Sequence, residues 1–340
     1  MNKIVAYARL LRIPGLGALA LPTVIGALTV GMTDLYNLVI LFLIGAVSAM
    51  YGFILNDYAD IELDRLIPEL KGKPLVDGTI QPRTAVFICF FLVLFAFFFL
   101  LLLWRGQNLD NYKFLAITCI FLAGILGSIY DLHGKKFPGS DFFVAISMSL
   151  LFLLGALCFG TPTVITWIIF ILTFNQTLHM NAVEGGIKDA DHDFMMGVKN
   201  IALVSGVKVD GYRLHIPISF KAFGIGIRLF SAVLLFTPFI FFKDQLIYYE
   251  PWHPIIIGIL TVGIFGVLFF NVKLLSLKTF DRDAIRKYIG IQSFLRYSLV
   301  PIMLIPIIGI TPSIILIFFP IIWYIIFTPL LGEKLFRPRM

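Results

Sequence analysis

The chain has 340 residues, of which 59% are hydrophobic and only 14% charged, with a formal net charge of +7. Soluble domains carry about 25% charged residues and roughly 45–50% apolar ones, so this composition excludes a soluble globular protein and predicts an integral membrane protein. The positive balance suits anionic lipid or a phosphorylated ligand, and no nucleic-acid partner is expected.

A membrane-spanning helix needs about 20 apolar residues. In chain order, segments near that length run over 15–33, 36–56, 84–104, 113–130, 141–160, 163–182, 224–242, 254–274, 289–309 and 312–330. The last two are split only by Gly309-Ile310-Thr311-Pro312. The expected fold is therefore all-α, a polytopic bundle of nine or ten transmembrane helices forming one integral-membrane domain over 1–340. No removable signal peptide is read in Met1 to Pro14. Cys89, Cys119 and Cys158 lie inside apolar stretches without a CxxC pair and are expected to be buried structural thiols.

Sidedness follows from the basic residues. With the N-terminus inside and ten alternating spans, all of the 27 lysines and arginines except Arg105, Lys113 and Lys243 fall on the cytoplasmic side. That set includes Arg228 and Arg296 near span ends and Lys334, Arg337 and Arg339 in the C-terminal tail. The same arrangement puts the two longest polar loops, 57–82 and 183–223, on the cytoplasmic face. The expected location is the plasma membrane of a prokaryote, with the active-site loops in the cytoplasm.

Each long loop opens with acidic residues at the end of an apolar segment, where charge is costly and marks function. In Asn56-Asp57-Tyr58-Ala59-Asp60-Ile61-Glu62-Leu63-Asp64, the aspartates are spaced three and then four apart. At ~100° per residue, Asp57, Asp60 and Asp64 share one helical face within about 60°, and Glu62 points away. In Asp189-Ala190-Asp191-His192-Asp193, Asp189 and Asp193 share a face and Asp191 lies nearly opposite. Hard oxygen donors in this pattern suit Mg2+, which keeps several waters and bridges to substrate phosphates. The expected metal ligands and catalytic residues are Asp57, Asp60, Asp64, Asp189 and Asp193. Cations and polar groups nearby, Asn56, Arg65, Tyr130, Lys135 and Lys188, are candidates to bind a diphosphate. Asn175, His179 and Asn181 in the sixth span are read first as helix–helix hydrogen-bonding groups.

The NDxxDxxxD string at Asn56–Asp64 resembles the first aspartate-rich motif of the UbiA superfamily of intramembrane prenyltransferases. Asp189–Asp193 followed by Phe194-Met195-Met196-Gly197-Val198-Lys199 is similar to the second motif of that family. Arg12-Ile13-Pro14, Lys73-Pro74-Leu75 with Gly78 and Ile80, and the pair Tyr130 and Lys135 also resemble family features. The likeness covers residues 9–310; a tenth span, the long loop 183–223 and Lys73 in place of a common arginine depart from the usual pattern.

The resemblance implies Mg2+-dependent transfer of an isoprenyl group from an allylic prenyl diphosphate donor to a lipid or aromatic acceptor, with release of diphosphate, within the bilayer. Such a reaction belongs to lipid or quinone biosynthesis. The competing expectation is a cation-binding membrane transporter using the paired aspartate clusters. Transporters place such groups near the bilayer midplane on broken helices, whereas both clusters here sit in loops rich in lysine. The sequence leaves acceptor identity, donor length and oligomeric state open.

Overall fold

Backbone in hydrocarbon has no water to bond, so apolar stretches of this length close their own hydrogen bonds as helices. The computed structural model follows that rule and describes residues 3–246 and 250–332. In chain order the helices are α1 (Lys3–Leu10), α2 (Ile13–Leu19), α3 (Leu21–Leu28), α4 (Leu35–Ala59), α5 (Ile61–Asp64), α6 (Pro82–Leu103), α7 (Asn111–His133), α8 (Asp141–Leu157) and α9 (Val164–Leu178). A π-helical turn, His179–Gly185, continues α9 into α10 (Gly186–Lys188), and α11 (Ala190–Met195) and α12 (Ile201–Val204) follow. After a hairpin of β1 (Lys208–Asp210) and β2 (Arg213–His215) come α13 (Ile218–Phe241), α14 (His253–Leu275), α15 (Arg282–Met303), α16 (Ile305–Ile308) and α17 (Ile310–Leu330). The hairpin, with Val209 opposite Leu214, and an isolated bridge between Arg213 and Thr279 are the strand pairing found among the described residues of this helical chain.

Each of the ten apolar segments is helical over most of its length. Seven helical stretches among the described residues are long and apolar enough to cross a membrane: Lys3–Leu28, Leu35–Ala59, Pro82–Leu103, Asn111–Lys136, Ile218–Phe241, Glu250–Leu275 and Ile310–Leu330. α8 is apolar but shorter. Gly309, at φ 88, separates α16 from α17 at the junction the sequence marks. Lys334, Arg337 and Arg339 lie outside the described residues.

The chain divides into two compact units: 1–133 with 150–161 and 318–340, and 134–149 with 162–317. The first unit is knitted by small residues, which let helices approach where lipid gives no hydrophobic drive. A methyl group on Gly26 would strike the backbone of Phe152, and one on Gly155 the backbone of Thr23. Thr23 donates to the carbonyl of Leu41 at 2.8 Å, and Tyr51 bonds Ser128 at 2.8 Å, joining α4 to α7. Outward faces carry bulky apolar groups, such as Phe87, Phe90, Phe91 and Phe98 on α6. Cys89, Cys119 and Cys158 are buried and free, as expected.

The second unit is centred on Val183, Ile187, Ala190, Ala202, Val207, Leu214, Phe220, Leu274, Leu275 and Ile285. This cluster anchors the segment bearing the second acidic motif. The polar groups of the sixth apolar segment bond between and within helices: Asn175 to Ser231 at 3.2 Å, His179 to Asn271 at 3.0 Å, and Asn181 to the Thr177 carbonyl at 2.9 Å. Arg228 and Arg296 are not loop charges. Both are buried and both bind Glu184, because a carboxylate inside the bundle draws its counterions inward.

Candidate functional site

The first acidic motif sits where α4 ends. The helical winding carries on past that end: the Asp60 amide donates to the Asn56 carbonyl at 3.0 Å and the Asp64 amide to the Asp60 carbonyl at 2.8 Å. The spacing of three and four is therefore expressed as one face, and Asp57, Asp60 and Asp64 are all buried, at 5–7% exposure. Glu62 points out and pairs with Arg65 at 2.8 Å, and both side chains are exposed. Arg65 thus reaches back to its own helix. A pair this exposed contributes about 0–1 kcal/mol.

Two cations that the sequence did not single out as diphosphate binders do the neutralising. Arg12 donates to Asp57 Oδ1 at 2.8 Å, and Lys73 Nζ bridges Asp57 Oδ1 at 2.9 Å and Asp64 Oδ2 at 2.7 Å. Arg12 adopts a left-handed backbone, φ 46 and ψ 47, at the break between α1 and α2. Non-glycine residues pay for this conformation, and such strain clusters at functional positions. Here it accompanies a guanidinium set 4.9 Å above the Phe53 ring and against Asp57. Lys73 is presented by a folded loop. Leu75 and Ile80 bury as anchors, Asp77 accepts from the Thr79 amide at 2.8 Å, and Gly78 takes φ 77, which a side chain would resist. The Lys-Pro-Leu…Gly…Ile pattern has that physical meaning.

Burial pushes the Asp64 carboxyl above the usual aspartate range despite the Lys73 ammonium beside it, and Asp60 and Asp57 add to the rise. Burial works against the Lys73 ammonium, yet Asp57 and Asp64 outweigh it and hold its pKa above the ordinary lysine value. A fourth carboxylate, Asp131 in the last turn of α7, joins the group. Its Oδ2 lies 3.7 Å from where a methyl group on Gly52 of α4 would sit, in the electrostatic field of Asp60, Arg12 and Asp57. The sequence reading missed Asp131 because one aspartate in an apolar helix carries no spacing signal. Its neighbour Tyr130 occupies the same turn.

The second motif sits in the other unit. The Asp193 amide donates to the Asp189 carbonyl at 2.9 Å, so the four-residue spacing is again helical. Asp193 accepts from the Asn200 side chain at 2.7 Å, and Lys188 lies 3.3 Å from Asp189. Asp191 turns aside to Arg282 at 2.6 Å, with His192 on the same guanidinium. Lys135, in a 3-10 turn over Gly134–Lys136, accepts the Lys199 amide on its carbonyl at 3.0 Å. That bond ties the residues after α7 to the Gly-Lys segment of the second motif.

The carboxylate donors suit Mg2+ in chemistry. Among the described residues, no three acidic, histidine or cysteine side chains converge to make an all-protein cage. Magnesium commonly takes one or two carboxylates and completes its shell with water and substrate phosphates. Lys73 already holds positive charge at the convergence of Asp57 and Asp64. The donor set fits such an ion.

Fold and motifs together define a polytopic α-helical membrane protein with two aspartate-rich sites at helix ends. The UbiA prenyltransferase family model matches residues 19–299. The chain belongs to the UbiA prenyltransferase family. It is 27% identical over 185 residues to a 4-hydroxybenzoate octaprenyltransferase of Francisella tularensis subsp. mediasiatica, a match covering 54% of this chain and 62% of the relative. The matched region thus spans less than two thirds of that relative's length. A 4-hydroxybenzoate octaprenyltransferase of Vesicomyosocius okutanii is 26% identical over 257 residues, covering 72% of this chain and 90% of the relative. Among solved structures, a UbiA homologue from Archaeoglobus fulgidus bound to GPP and Mg2+ superposes with a TM-score of 0.61 at 18% identity, covering 90% of this chain and 100% of that one. At that identity the likeness speaks for the fold.

Proposed function

We propose that the protein transfers an isoprenyl group from an allylic prenyl diphosphate to a lipid or aromatic acceptor and releases diphosphate, with Mg2+ as cofactor. The observation that carries this reading is the triad of buried aspartates with Lys73 bridging two of them and Arg12 on one. Carboxylates this close repel one another unless a cation is shared, and a diphosphate needs metal and basic groups together.

Asp57, Asp60 and Asp64 in the first motif and Asp189 and Asp193 in the second are the proposed ligands for Mg2+. The bound metal would supply positive charge to the departing diphosphate. Lys73 and Arg12 would exchange one carboxylate partner for a phosphate oxygen as the donor arrives, keeping the site's charge balanced. Lys135 and Lys188 are the basic groups of the second motif proposed to bind diphosphate oxygens. Asn56 and Tyr130 would contact the diphosphate, and Arg65, turned to Glu62 without ligand, would join on donor binding. The surrounding apolar helices would exclude water from the allylic carbon.

The test is a radiolabelled geranylgeranyl diphosphate assay on detergent-solubilised protein across aromatic and lipid acceptors. A Mg2+-dependent prenylated product with stoichiometric diphosphate supports the reading. Cation flux in liposomes without product from any acceptor class would replace it with transport.

A further inference from the structure

α17 contributes no carboxylate to the acidic motifs, yet it grips the chain on both sides of Arg12. Trp323 Nε1, on α17, donates to the Ile13 carbonyl at 2.8 Å. Just past the end of α17, the Leu331 carbonyl accepts from Arg9 Nη2 at 2.7 Å and from Arg9 Nε at 3.3 Å. The Arg12 amide in turn donates to the Arg9 carbonyl at 3.0 Å. Residues 9 and 13 are thus both fastened to one helix, with Arg12 between them. Arg12 is the one non-glycine residue with positive φ among the described residues. Such a conformation persists only where the surrounding structure over-determines it, and the grip of α17 supplies that constraint. Trp323 also packs directly on the backbone of α2: a methyl group on Gly17 would lie 2.6 Å from its Cβ and Cγ. Phe42, Phe319 and Phe327 hold the indole, with ring centroids 4.5–5.7 Å away. The Arg12 side chain is 22% exposed and that of Asp57 6%, so the guanidinium is the member of the pair that an arriving anion can reach. A change of φ from 46 to about −63° would swing its Cβ and carry the guanidinium off Asp57 and the Phe53 ring.

We infer that Trp323 is a positioning residue of the diphosphate site: by holding the Ile13 carbonyl it fixes the left-handed turn that aims the Arg12 guanidinium at the donor's phosphate oxygens. This deepens, and rests on, the prenyl-transfer reading. Trp323 touches no substrate; it acts on the backbone, and its effect reaches the ligand through one side chain. The role is separable from packing. Trp323 meets Gly17 through Cβ, Cγ and Cδ1, atoms that phenylalanine also has, so Trp323→Phe keeps that contact and removes the donated hydrogen bond. Arg12 then spends part of its time in right-handed conformations. A site whose binding-competent state is only partly populated binds its ligand more weakly by that fraction.

The experiment is a double-mutant cycle on the full chain in detergent, comparing wild type, Trp323→Phe, Arg12→Met and the double variant. Equilibrium binding of inorganic diphosphate and of labelled geranylgeranyl diphosphate is measured with Mg2+ present, beside the unfolding midpoint of each protein. Loss of a charge-assisted hydrogen bond in Arg12→Met raises both Kd values at least about tenfold. Trp323→Phe raises them about three- to tenfold, with an unfolding midpoint near that of wild type. In the Arg12→Met background Trp323→Phe has no further effect, because the group it positions is gone; a merely structural loss would multiply. Gly17→Ala, whose methyl group displaces the indole, weakens binding in the same way and decides the matter should Trp323→Phe fail to fold. Arg12→Gln replaces Arg12→Met on the same ground. Unchanged Kd values in Trp323→Phe, effects that multiply in the double variant, or unchanged binding in Arg12→Met overturn the inference while prenyl transfer stands. Wild-type protein that binds neither probe removes the prenyl-transfer reading and this inference with it.

Discussion

Lys73→Met isolates the electrostatic design of the first motif. The substitution keeps the aliphatic stem and removes an ammonium that donates to Asp57 at 2.9 Å and Asp64 at 2.7 Å. Bonds to charged groups are each worth about 1.5–3 kcal/mol net, and loss of one partner from a buried pair costs up to roughly 3–5 kcal/mol. Lys73 is 21% exposed and its partners 6%, so solvent screens part of this, and Arg12 still covers Asp57. Asp64 is left beside like charges. The expected destabilisation is about 2–4 kcal/mol without ligand, read as a lower unfolding midpoint in detergent. Mg2+ binds the same carboxylates in the proposed reading, so adding it should raise the midpoint more in Lys73→Met than in wild type. An unchanged midpoint without Mg2+, or identical Mg2+-induced shifts, would refute the reasoning.

Three further outcomes follow from the same structure. Lys135→Ala raises donor KM several-fold and leaves acceptor KM alone in steady-state assays; an unchanged donor KM contradicts a phosphate-binding role. Glu184→Gln strands Arg228 and Arg296 inside the second unit and destabilises it by about 3–5 kcal/mol, measured as the loss of midpoint in detergent unfolding. Because burial raises the Asp64 carboxyl above the ordinary 3.8, protons compete with metal at a pH where an exposed aspartate is still ionised. The Mg2+ needed for half-maximal activity therefore climbs as pH falls through the acidic range, and a flat dependence refutes it.

Legibility divides along a physical line. Features with a period were readable: apolar runs of spanning length, and aspartates at three- and four-residue steps that the helix turns onto one face. The Lys-Pro-Leu…Gly…Ile loop was readable as a pattern, but its purpose was not, since Lys73 meets Asp57 only after the loop folds back. Arg12 and Asp57 are 45 residues apart, and nothing local announces their pairing. Counting basic residues treated Arg228 and Arg296 as inner-face charges, because a count of sidedness is blind to a buried glutamate that draws arginines inward. Asp131 gave no signal at all. Its place beside Gly52 comes from packing between α4 and α7, a tertiary fact.

The most direct measurement is diphosphate release from labelled geranylgeranyl diphosphate across a Mg2+ titration, with wild type, Asp60→Asn and Asp193→Asn compared in parallel. The account predicts saturable Mg2+-dependent release in wild type, and release reduced to background in both variants although each unfolds near the wild-type midpoint. Wild-type rates in either variant, or release indifferent to Mg2+, would contradict it.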